Sequence, residues 1–487
     1  MTSTPSTESL FRTAVSAIQH FSLDLAQRPA FTLPPVAPRT PRPSRGDIAG
    51  PDGDAWSTSI ALRSGNTSVV KLHDRARSRI EAYTQRLTAF EHVADVSEAT
   101  MALQAELAAG NFRGPLHGIP LSVKDIIDVA GMPTTGSSRA LTPRLPTEDA
   151  TAVRRLREAG ALIMGKTVTH EFALGVTTPQ SRNPWDETRV PGGSSGGSVI
   201  SVVTGMANVS LGTDTRASIR VPAALSGAVG FRPTIGLVPI DGWLTLSWTM
   251  DVLAPMARSV RDIALMMDVL TDSGTRFRDV LPGSIEGYTI GYSELLWSGI
   301  EPGVKACFEA ALESAEKAGA TIVSCDDLTA EDMELSNYAG MVLSRAEAAH
   351  FHAEAGTNLD LCIPEVRLQL SEASEVNATD YLRCLRIRDF IYKRLTSVFS
   401  DVDLLLMPTS EIVAPLVEDA ERYLLVLSEN CIPWSLVGFP AISLFSGLSE
   451  GLPTGIQMVA PAGQDLFLLS AAHALEQRLP QIPEWLP

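Results

Sequence analysis

The chain has 487 residues, of which 45% are hydrophobic and 20% charged, and its formal net charge is −17 at pH 7. This composition is typical of a globular protein with an ordinary core. Because the chain is acidic and lacks a basic run, we expect neither nucleic acid nor an anionic membrane surface as a partner.

The cysteines and the first residues predict a compartment. Five cysteines are scattered between Cys307 and Cys431 without CxxC spacing, which favours reduced thiols and a cytoplasmic protein. The sequence does not open on a basic segment followed by an apolar core, so we expect no signal peptide. No apolar run approaches the roughly 20 residues of a membrane span.

The N-terminal residues predict one helix followed by an extended arm. Apolar residues recur near helical spacing over 8–27, and seven prolines lie between Pro29 and Pro51. Such a segment is typically extended rather than packed. We therefore predict an N-terminal helix and Pro-rich arm at 1–55 and a main domain at 56–487. The apolar residues of the helix are Leu10, Phe11, Val15, Ile18, Phe21 and Leu25.

Helices and strands alternate in the main domain. Thr67 is the predicted N-cap of the first helix, IPLSVKDIIDVAG predicts a buried strand that enters a loop, and a helix over 149–159 ends at Gly160. ALIMG predicts the next strand, and further strands are predicted in SIEGYTIGYSELL, ATIVSCDD and DVDLLLMPTS, with helices over 330–400. This alternation predicts an α/β fold with a largely parallel or mixed sheet. One face of the first helix contains Val69, Leu72, Ala76, Ile80 and Tyr83.

The sequence GALIMGKT at 160–167 matches the phosphate-loop pattern GxxxxGK[ST]. A phosphate loop needs a strand before its first glycine and free backbone N–H groups. Here the residues between the two glycines are apolar and predict the strand itself. We therefore expect no nucleotide site and place Lys166 at the end of a strand.

The sequence GGSSG at 192–196 matches the nucleophile elbow GxSxG, in which Ser194 would act with a later histidine. The elbow requires a strand directly before the serine, whereas the preceding NPWDETRVP is polar and contains two prolines. The downstream histidines, His350, His352 and His473, fall in predicted helices. We favour neither the elbow nor a flexible Gly-Ser linker.

A lysine and two serines form the remaining candidate site. Lys124 follows the apolar run IPLSV, Ser194 lies in the glycine turn, and Ser218 lies in TDTRAS. A serine hydroxyl needs a base to remove its proton, and burial can lower a lysine pKa from about 10.4 to about 7.5, where the amine becomes such a base. The alternative for Lys124 is a structural ion pair with Asp125 or with another carboxylate.

These segments together resemble the amidase signature family, whose members are serine hydrolases that cleave amides and related C–N bonds. The similarity covers about residues 56–480, and its most specific part is GGSSGGSVISVVTGMANVSLGTDTRASIRVPA, which contains both serines. Further similarity lies at 114–136, 165–175, 183–240 and 247–262. The resemblance implies one large α/β/α catalytic domain, in which helices flank a mixed twisted sheet, with an N-terminal helical arm.

The resemblance also implies the roles of the candidate residues. Lys124 would be the base, Ser194 the bridging serine and Ser218 the nucleophile, and the family's cis peptide before the bridging serine falls here at Gly193–Ser194. Backbone N–H groups of the TDTRAS loop would hold the oxyanion, and no metal ion or organic cofactor is needed. The oxyanion candidates are Thr215, Arg216, Ala217 and Ser218.

Arg216 and Ala217 stand where the family usually has glycine. The Arg216 side chain either lines the pocket and binds an acidic or polar substrate group, or pairs with Asp214 as scaffold. Three tryptophans could line an aryl pocket, with a buried core position as the alternative for each. They are Trp243, Trp248 and Trp434.

The predicted function is a serine hydrolase that cleaves an amide, carbamate or urea-type C–N bond through an acyl-enzyme. One alternative is the amide-hydrolysing subunit of a multi-subunit amidotransferase, and another is a non-catalytic binding protein with the same fold. The expected partner is a small-molecule amide or carbamate, and a homodimer stays open.

Overall fold

The computed structural model describes residues 7–23, 37–42, 53–271, 274, 276–294, 299–325, 327–424 and 426–485. The helices are α1 Thr7–His20, α2 Ala55–Arg63, α3 Val69–Leu87, α4 Ser97–Ala108, α5 Thr151–Glu158, α6 Gly196–Val203, α7 Arg220–Ser226, α8 Val260–Leu270, α9 Pro302–Lys317, α10 Ala330–Glu354, α11 Pro364–Ala373, α12 Ala378–Val398, α13 Ile432–Leu436 and α14 Asp465–Glu476. The strands are β1 Phe90–Val93, β2 Pro120–Lys124, β3 Leu162–Thr167, β4 Val209–Asp214, β5 Val229–Arg232, β6 Val252–Ala257, β7 Thr289–Tyr292, β8 Thr321–Ser324, β9 Leu404–Pro408, β10 Ala441–Ser449 and β11 Leu452–Val459.

One mixed sheet joins the eleven strands of the described residues, in the order β1-β3-β2-β4-β6-β5-β10-β11-β9-β7-β8. β2 pairs in parallel with β3 and β4, and β7 pairs in parallel with β8 and β9. All residues of β2, β3, β4 and β6 are buried, as expected for strands that helices cover on both faces. The predicted α/β fold with a mixed sheet is confirmed.

Two local predictions near the N-terminus need correction. The helix predicted over 8–27 ends at His20. There the Arg383 guanidinium donates to the carbonyl groups of Ile18, in the last turn, and of Phe21, just beyond it, and so satisfies acceptors that the helix leaves free. The remainder of that prediction, from residue 24, lies outside the described residues. The helix at 69–87 is capped by Ser68 rather than Thr67.

The Ser68 cap has a direct geometric cause. Its backbone is extended, and its hydroxyl accepts a hydrogen bond from the backbone N–H of Lys71 at 3.2 Å. An N-cap side chain reaches the N–H group two or three residues ahead. Thr67 lies one residue too early for that bond.

The N-terminal helix packs against the helical layer around α10 and α12. Phe11, Ala14 and Ile18 of α1 are buried in the main hydrophobic core, so this segment belongs to the folded body where it is described. Most of the predicted Pro-rich arm lies outside the described residues, and the division at residue 55 stays a prediction. None of the described helices is both long and apolar enough to cross a lipid bilayer.

Candidate active site

Two neighbouring parallel strands carry the candidate site. β2 ends at Lys124, β4 ends at Asp214, and the two strands pair directly. Parallel strands end at the same edge of a sheet, where ligands of α/β proteins bind. The topology therefore brings Lys124 close to the loop at 215–219, which contains Ser218 and leads into α7.

Lys124 is enclosed and surrounded by hydroxyl groups. The side chain is 0% exposed, and its Nζ lies 2.6 Å from Ser194 Oγ and 2.8 Å from Thr213 Oγ1. Burial lowers the pKa of Lys124 to about 7, against the opposing effects of the Asp251 and Asp214 carboxylates. Within the described ranges, no carboxylate forms an ion pair with Lys124 at 4.0 Å or less. A large fraction of this amine is therefore neutral at pH 7.

The neighbouring strand explains why Asp125 does not pair with Lys124. Lys166 of β3 places its Nζ 3.1 Å from Asp125 Oδ1, and both side chains are 0% exposed. The same Nζ donates to Thr134 Oγ1 at 3.0 Å. The alternative of a Lys124–Asp125 ion pair is therefore wrong. The segment GALIMGKT contains the buried strand β3, and Lys166 lies near its end, as predicted.

The turn before α6 fixes Ser194 beside Lys124. The Gly193–Ser194 peptide bond is cis, at the place that the resemblance implied. Gly192 has a φ of +83°, and a Cβ on Gly193 would lie 2.5 Å from Thr178 Oγ1, so side chains are excluded from this turn. The Ser194 carbonyl accepts hydrogen bonds from the N–H of His170 at 3.0 Å and from the hydroxyls of Thr169 and Thr178.

The loop after β4 presents unpaired backbone donors next to this turn. The Ser218 carbonyl accepts a hydrogen bond from the Ser195 N–H at 3.3 Å, which joins the two serine segments. Among the described residues, the N–H groups of Arg216, Ala217 and Ser218 find no protein acceptor. These residues are at most 8% exposed. Buried N–H groups without a protein partner are rare in folded proteins.

A cluster of buried charged side chains contacts the same loop and holds it in place. Asp214 Oδ2 accepts from Arg220 Nε at 3.0 Å, and Asp214 Oδ1 accepts from Arg232 Nη1 at 3.1 Å. Burial alone would raise the pKa of Asp214, but the two guanidinium charges hold it below its usual value. Arg220 Nη2 also donates to the Arg216 carbonyl at 2.8 Å. The alternative in which Arg216 pairs with Asp214 is therefore wrong, because Arg220 and Arg232 pair with that carboxylate.

Sequence reasoning missed Asp251, which holds the start of the loop. Its Oδ1 accepts from Thr215 Oγ1 at 2.5 Å, and its Oδ2 accepts from the N–H groups of Leu246 and Ser247. Burial raises the pKa of Asp251 to about 7, although these hydrogen bonds oppose the rise. The segment SWTMD lies in the range that resembles the family, but no spacing rule connects it to Thr215.

The histidines do not complete a nucleophile elbow. His352 of α10 packs against Phe172 at 4.3 Å between ring centroids, and His473 lies on α14. His170, which sequence reasoning did not consider, is fully buried beside Ser194, and burial together with the charges of Lys124 and Arg216 lowers its pKa to about 3. It is therefore neutral at physiological pH.

The three candidate tryptophans differ in exposure. Trp434 is 0% and Trp243 8% exposed, as expected for core residues. Trp248 is 44% exposed, so the expectation of a core position is wrong for this residue. Its ring meets the His350 ring edge-on at 5.8 Å on the surface of α10.

Comparisons with known proteins agree on one family. The model of the family described as Amidase matches residues 74–469. A glutamyl-tRNA(Gln) amidotransferase subunit from Moorella thermoacetica is 35% identical over 86% of this chain and 93% of its own length. A crystal structure of an amidase has a TM-score of 0.80 and 34% identity over 88% of this chain and 100% of that one. The peptide amidase from Stenotrophomonas maltophilia has a TM-score of 0.78 and 27% identity over 90% and 100%.

Proposed function

The chain belongs to the amidase family, and on that premise we propose that it hydrolyses an amide bond through an acyl-enzyme on Ser218, with Lys124 as the base and Ser194 as the relay. The observation that carries this proposal is the 2.6 Å contact between Lys124 Nζ and Ser194 Oγ in a fully buried setting. A buried lysine without a carboxylate partner has no evident structural use, because burial of its charged form is costly.

The proposed relay moves one proton in each direction. Neutral Lys124 takes the proton of Ser194 as Ser194 takes that of Ser218, and Ser218 Oγ attacks the carbonyl carbon. When the tetrahedral intermediate collapses, the C–N bond breaks and the proton returns through Ser194 to the leaving nitrogen. A water molecule then gives a proton to the same relay and attacks the ester on Ser218. The ester bond breaks, the proton returns to Ser218 Oγ, and the carboxylic acid is released.

The loop after β4 would stabilise the developing oxyanion. The N–H groups of Arg216, Ala217 and Ser218 lack protein acceptors among the described residues, and the Thr215 backbone is held by the bond from its hydroxyl to Asp251. Donors that are fixed before the reaction stabilise the transition state without reorganisation. The Asp214–Arg220 pair would keep this loop in place during turnover.

A second candidate function rests on the relatives. Several curated relatives are named as subunits of glutamyl-tRNA(Gln) amidotransferase, at 32% to 35% identity. The alternative is therefore an amide-hydrolysing subunit that passes its ammonia to a partner protein. Hydrolysis of simple amides by the isolated polypeptide, at rates that added partner chains do not raise, would favour the stand-alone enzyme.

Labelling with a fluorophosphonate tests the assignment of Ser218. We expect the wild-type chain to be labelled at Ser218, and Ser218→Ala to lose the label and about 10⁴- to 10⁶-fold in kcat, as when a nucleophile is lost. Ser446→Ala, which removes a buried hydroxyl of β10, is the control and should keep both. Loss of the label in Ser194→Ala with its retention in Ser218→Ala would reverse the two roles.

A further inference from the structure

A cluster of buried polar side chains, two of them arginines, lies beside the loop that carries Ser218. It consists of Arg216 from that loop, Arg345 of α10, Glu365 and Gln369 of α11, and His170. Each member is at most 8% exposed. The proposed relay uses none of these side chains, and buried charges without such a use are costly unless something pairs with them.

The Arg216 guanidinium has no partner in the described part of the chain. It donates no hydrogen bond and forms no ion pair within 4.0 Å there. Burial lowers its pKa to about 10, with an opposing effect of the Glu365 carboxylate. Arg216 therefore keeps its positive charge at neutral pH, and all five of its N–H donors stay available to a ligand.

Arg345 adds a second, only partly satisfied guanidinium. Its Nε donates to Gln369 Oε1 at 3.0 Å, whereas its buried Nη1 has no hydrogen-bond partner among the described residues. Burial and the nearby Arg216 charge lower the pKa of Arg345 to about 9. The Arg345 guanidinium also lies over the Phe11 ring, 5.2 Å from its centroid, and Gln369 joins Arg345 to Glu365 through two hydrogen bonds.

Glu365 does not neutralise this region at neutral pH. Its Oε1 accepts from Gln369 Nε2 at 2.8 Å, and its Oε2 lies 3.6 Å from His170 Nε2. Burial and the Glu421 charge raise the pKa of Glu365 to about 8, although both arginines oppose the rise. The carboxyl group is therefore mostly protonated at pH 7. The Glu372 and Glu421 carboxylates act on Arg345 and on Glu365, respectively, so the positive charge without an ion-pair partner among the described residues is that of Arg216.

We propose that Arg216, supported by Arg345, binds a carboxylate of the substrate, so that the enzyme selects amides that carry a carboxylate group. This inference rests on the proposed function, because it assigns the substrate class of the same site. Arg216 stands two residues before Ser218 in one short loop, which places the anion subsite next to the scissile bond. A guanidinium matches a carboxylate with two parallel hydrogen bonds.

The loop geometry explains how an arginine replaces glycine here without damage to the oxyanion donors. The Arg216 carbonyl is held by Arg220 Nη2 and by Ser435 Oγ, each at 2.8 Å. These two bonds fix the backbone independently of the Arg216 side chain. A change of the side chain therefore alters recognition while the backbone N–H groups keep their positions.

Matched substrates test the inference. Succinamate carries a carboxylate on the acyl side of its amide, and 4-methylpentanamide has an isopropyl group in its place. N-acetylglycine carries a carboxylate on the amine side, and N-isobutylacetamide has an isopropyl group there. We expect wild type to prefer the charged member of at least one pair, and Arg216→Gln to lose about 10- to 100-fold in kcat/KM for it, mainly through KM. The neutral member should change less than threefold.

Arg367→Gln is the matched control, because Arg367 is an exposed residue of α11 and the charge change is the same. Arg367→Gln should retain the preference for the charged substrate. Arg216→Lys should show part of the preference that Arg216→Gln loses. Equal losses on charged and neutral substrates in Arg216→Gln, with an unchanged melting temperature, would overturn the inference. Fluorophosphonate labelling of Ser218 in Arg216→Gln separates the two proposals, since labelling with no charge preference leaves the hydrolase intact and refutes only the carboxylate subsite.

Discussion

Two buried lysines at the same edge of the sheet have opposite surroundings. Lys124 and Lys166 lie at the ends of the adjacent parallel strands β2 and β3, and both are 0% exposed. Lys166 lies 3.1 Å from the Asp125 carboxylate. Among the described residues, Lys124 contacts only the hydroxyl groups of Ser194 and Thr213 at hydrogen-bond distance.

The difference separates a lysine in an ion pair from the lysine that we propose as the base. Burial lowers the pKa of both side chains, but a paired carboxylate at Lys166 opposes the effect, whereas more distant carboxylates leave that of Lys124 at about 7. A buried ion pair holds two segments together and is damaged when one partner is lost. A buried amine that has only hydroxyl partners destabilises the fold when it is charged, so its pKa falls. The neutral amine can then accept a proton from a hydroxyl group.

Replacement of each lysine by methionine should have opposite effects on activity and on stability. Lys124→Met should lose about 10²- to 10⁴-fold in kcat, the range of a general base, with a melting temperature that is unchanged or higher. Lys166→Met should leave Asp125 buried without its cation and destabilise the fold by about 3–5 kcal/mol. Amidase assays well below the melting temperature and thermal unfolding of both variants measure the two effects.

The double variant Asp125→Asn/Lys166→Met provides the control for this pair. It removes both charges together, so it should recover most of the stability that Lys166→Met loses. If Lys124→Met unfolds at lower temperature than Lys166→Met, the assignment of the two lysines as reactive and structural is wrong.

The sequence predicts much of this edge of the sheet. The apolar run before Lys124 and the run ALIMG before Lys166 indicate two buried strands, and both are present as β2 and β3. The glycine turn and its resemblance to one family locate Ser194 and the cis peptide before it. These features depend on residues that are close in the chain, where periodicity and turn chemistry act.

The partners of the charged residues could not be predicted in the same way. Asp125 is adjacent to Lys124 in sequence but pairs with Lys166, because it lies in the turn after β2, where the parallel strand β3 brings Lys166 beside it. Asp214 likewise pairs with Arg220 and Arg232 rather than Arg216. Such pairings are set by strand register and by the loop after β4, which a single sequence does not specify.

The pH dependence of activity should report the protonation of Lys124. Lys124 must be neutral to accept a proton, so protonation below its pKa of about 7 removes the active form. We expect kcat/KM to fall about tenfold per pH unit below that value and to level off above it, because the profile reports the free enzyme. Measurements from pH 5 to 9 with chemistry rate-limiting test this, and a flat profile over that range would contradict a lysine base.

Asp251→Asn should have the smallest effect on activity. It decides which group causes the fall in kcat/KM at low pH, the acid limb of the profile. Asp251 also has a pKa raised to about 7, and its charge raises that of Lys124. If Lys124 is the titrating base, removal of the Asp251 charge should move the limb to lower pH by up to about one unit. The plateau should fall only several-fold, because asparagine can still bond Thr215 and the two N–H groups that Asp251 holds.

If instead Asp251 itself must be ionised, its titration controls activity and the acid limb should disappear in Asp251→Asn. Asp241→Asn is the control, because Asp241 is an exposed residue that accepts a hydrogen bond from the N–H of Thr151, at the start of α5. It removes the same charge without contact to the loop and should leave the profile unchanged. If the acid limb persists in Asp251→Asn and moves to lower pH there, but does not move in Asp241→Asn, the titrating group is Lys124, which has only hydroxyl partners.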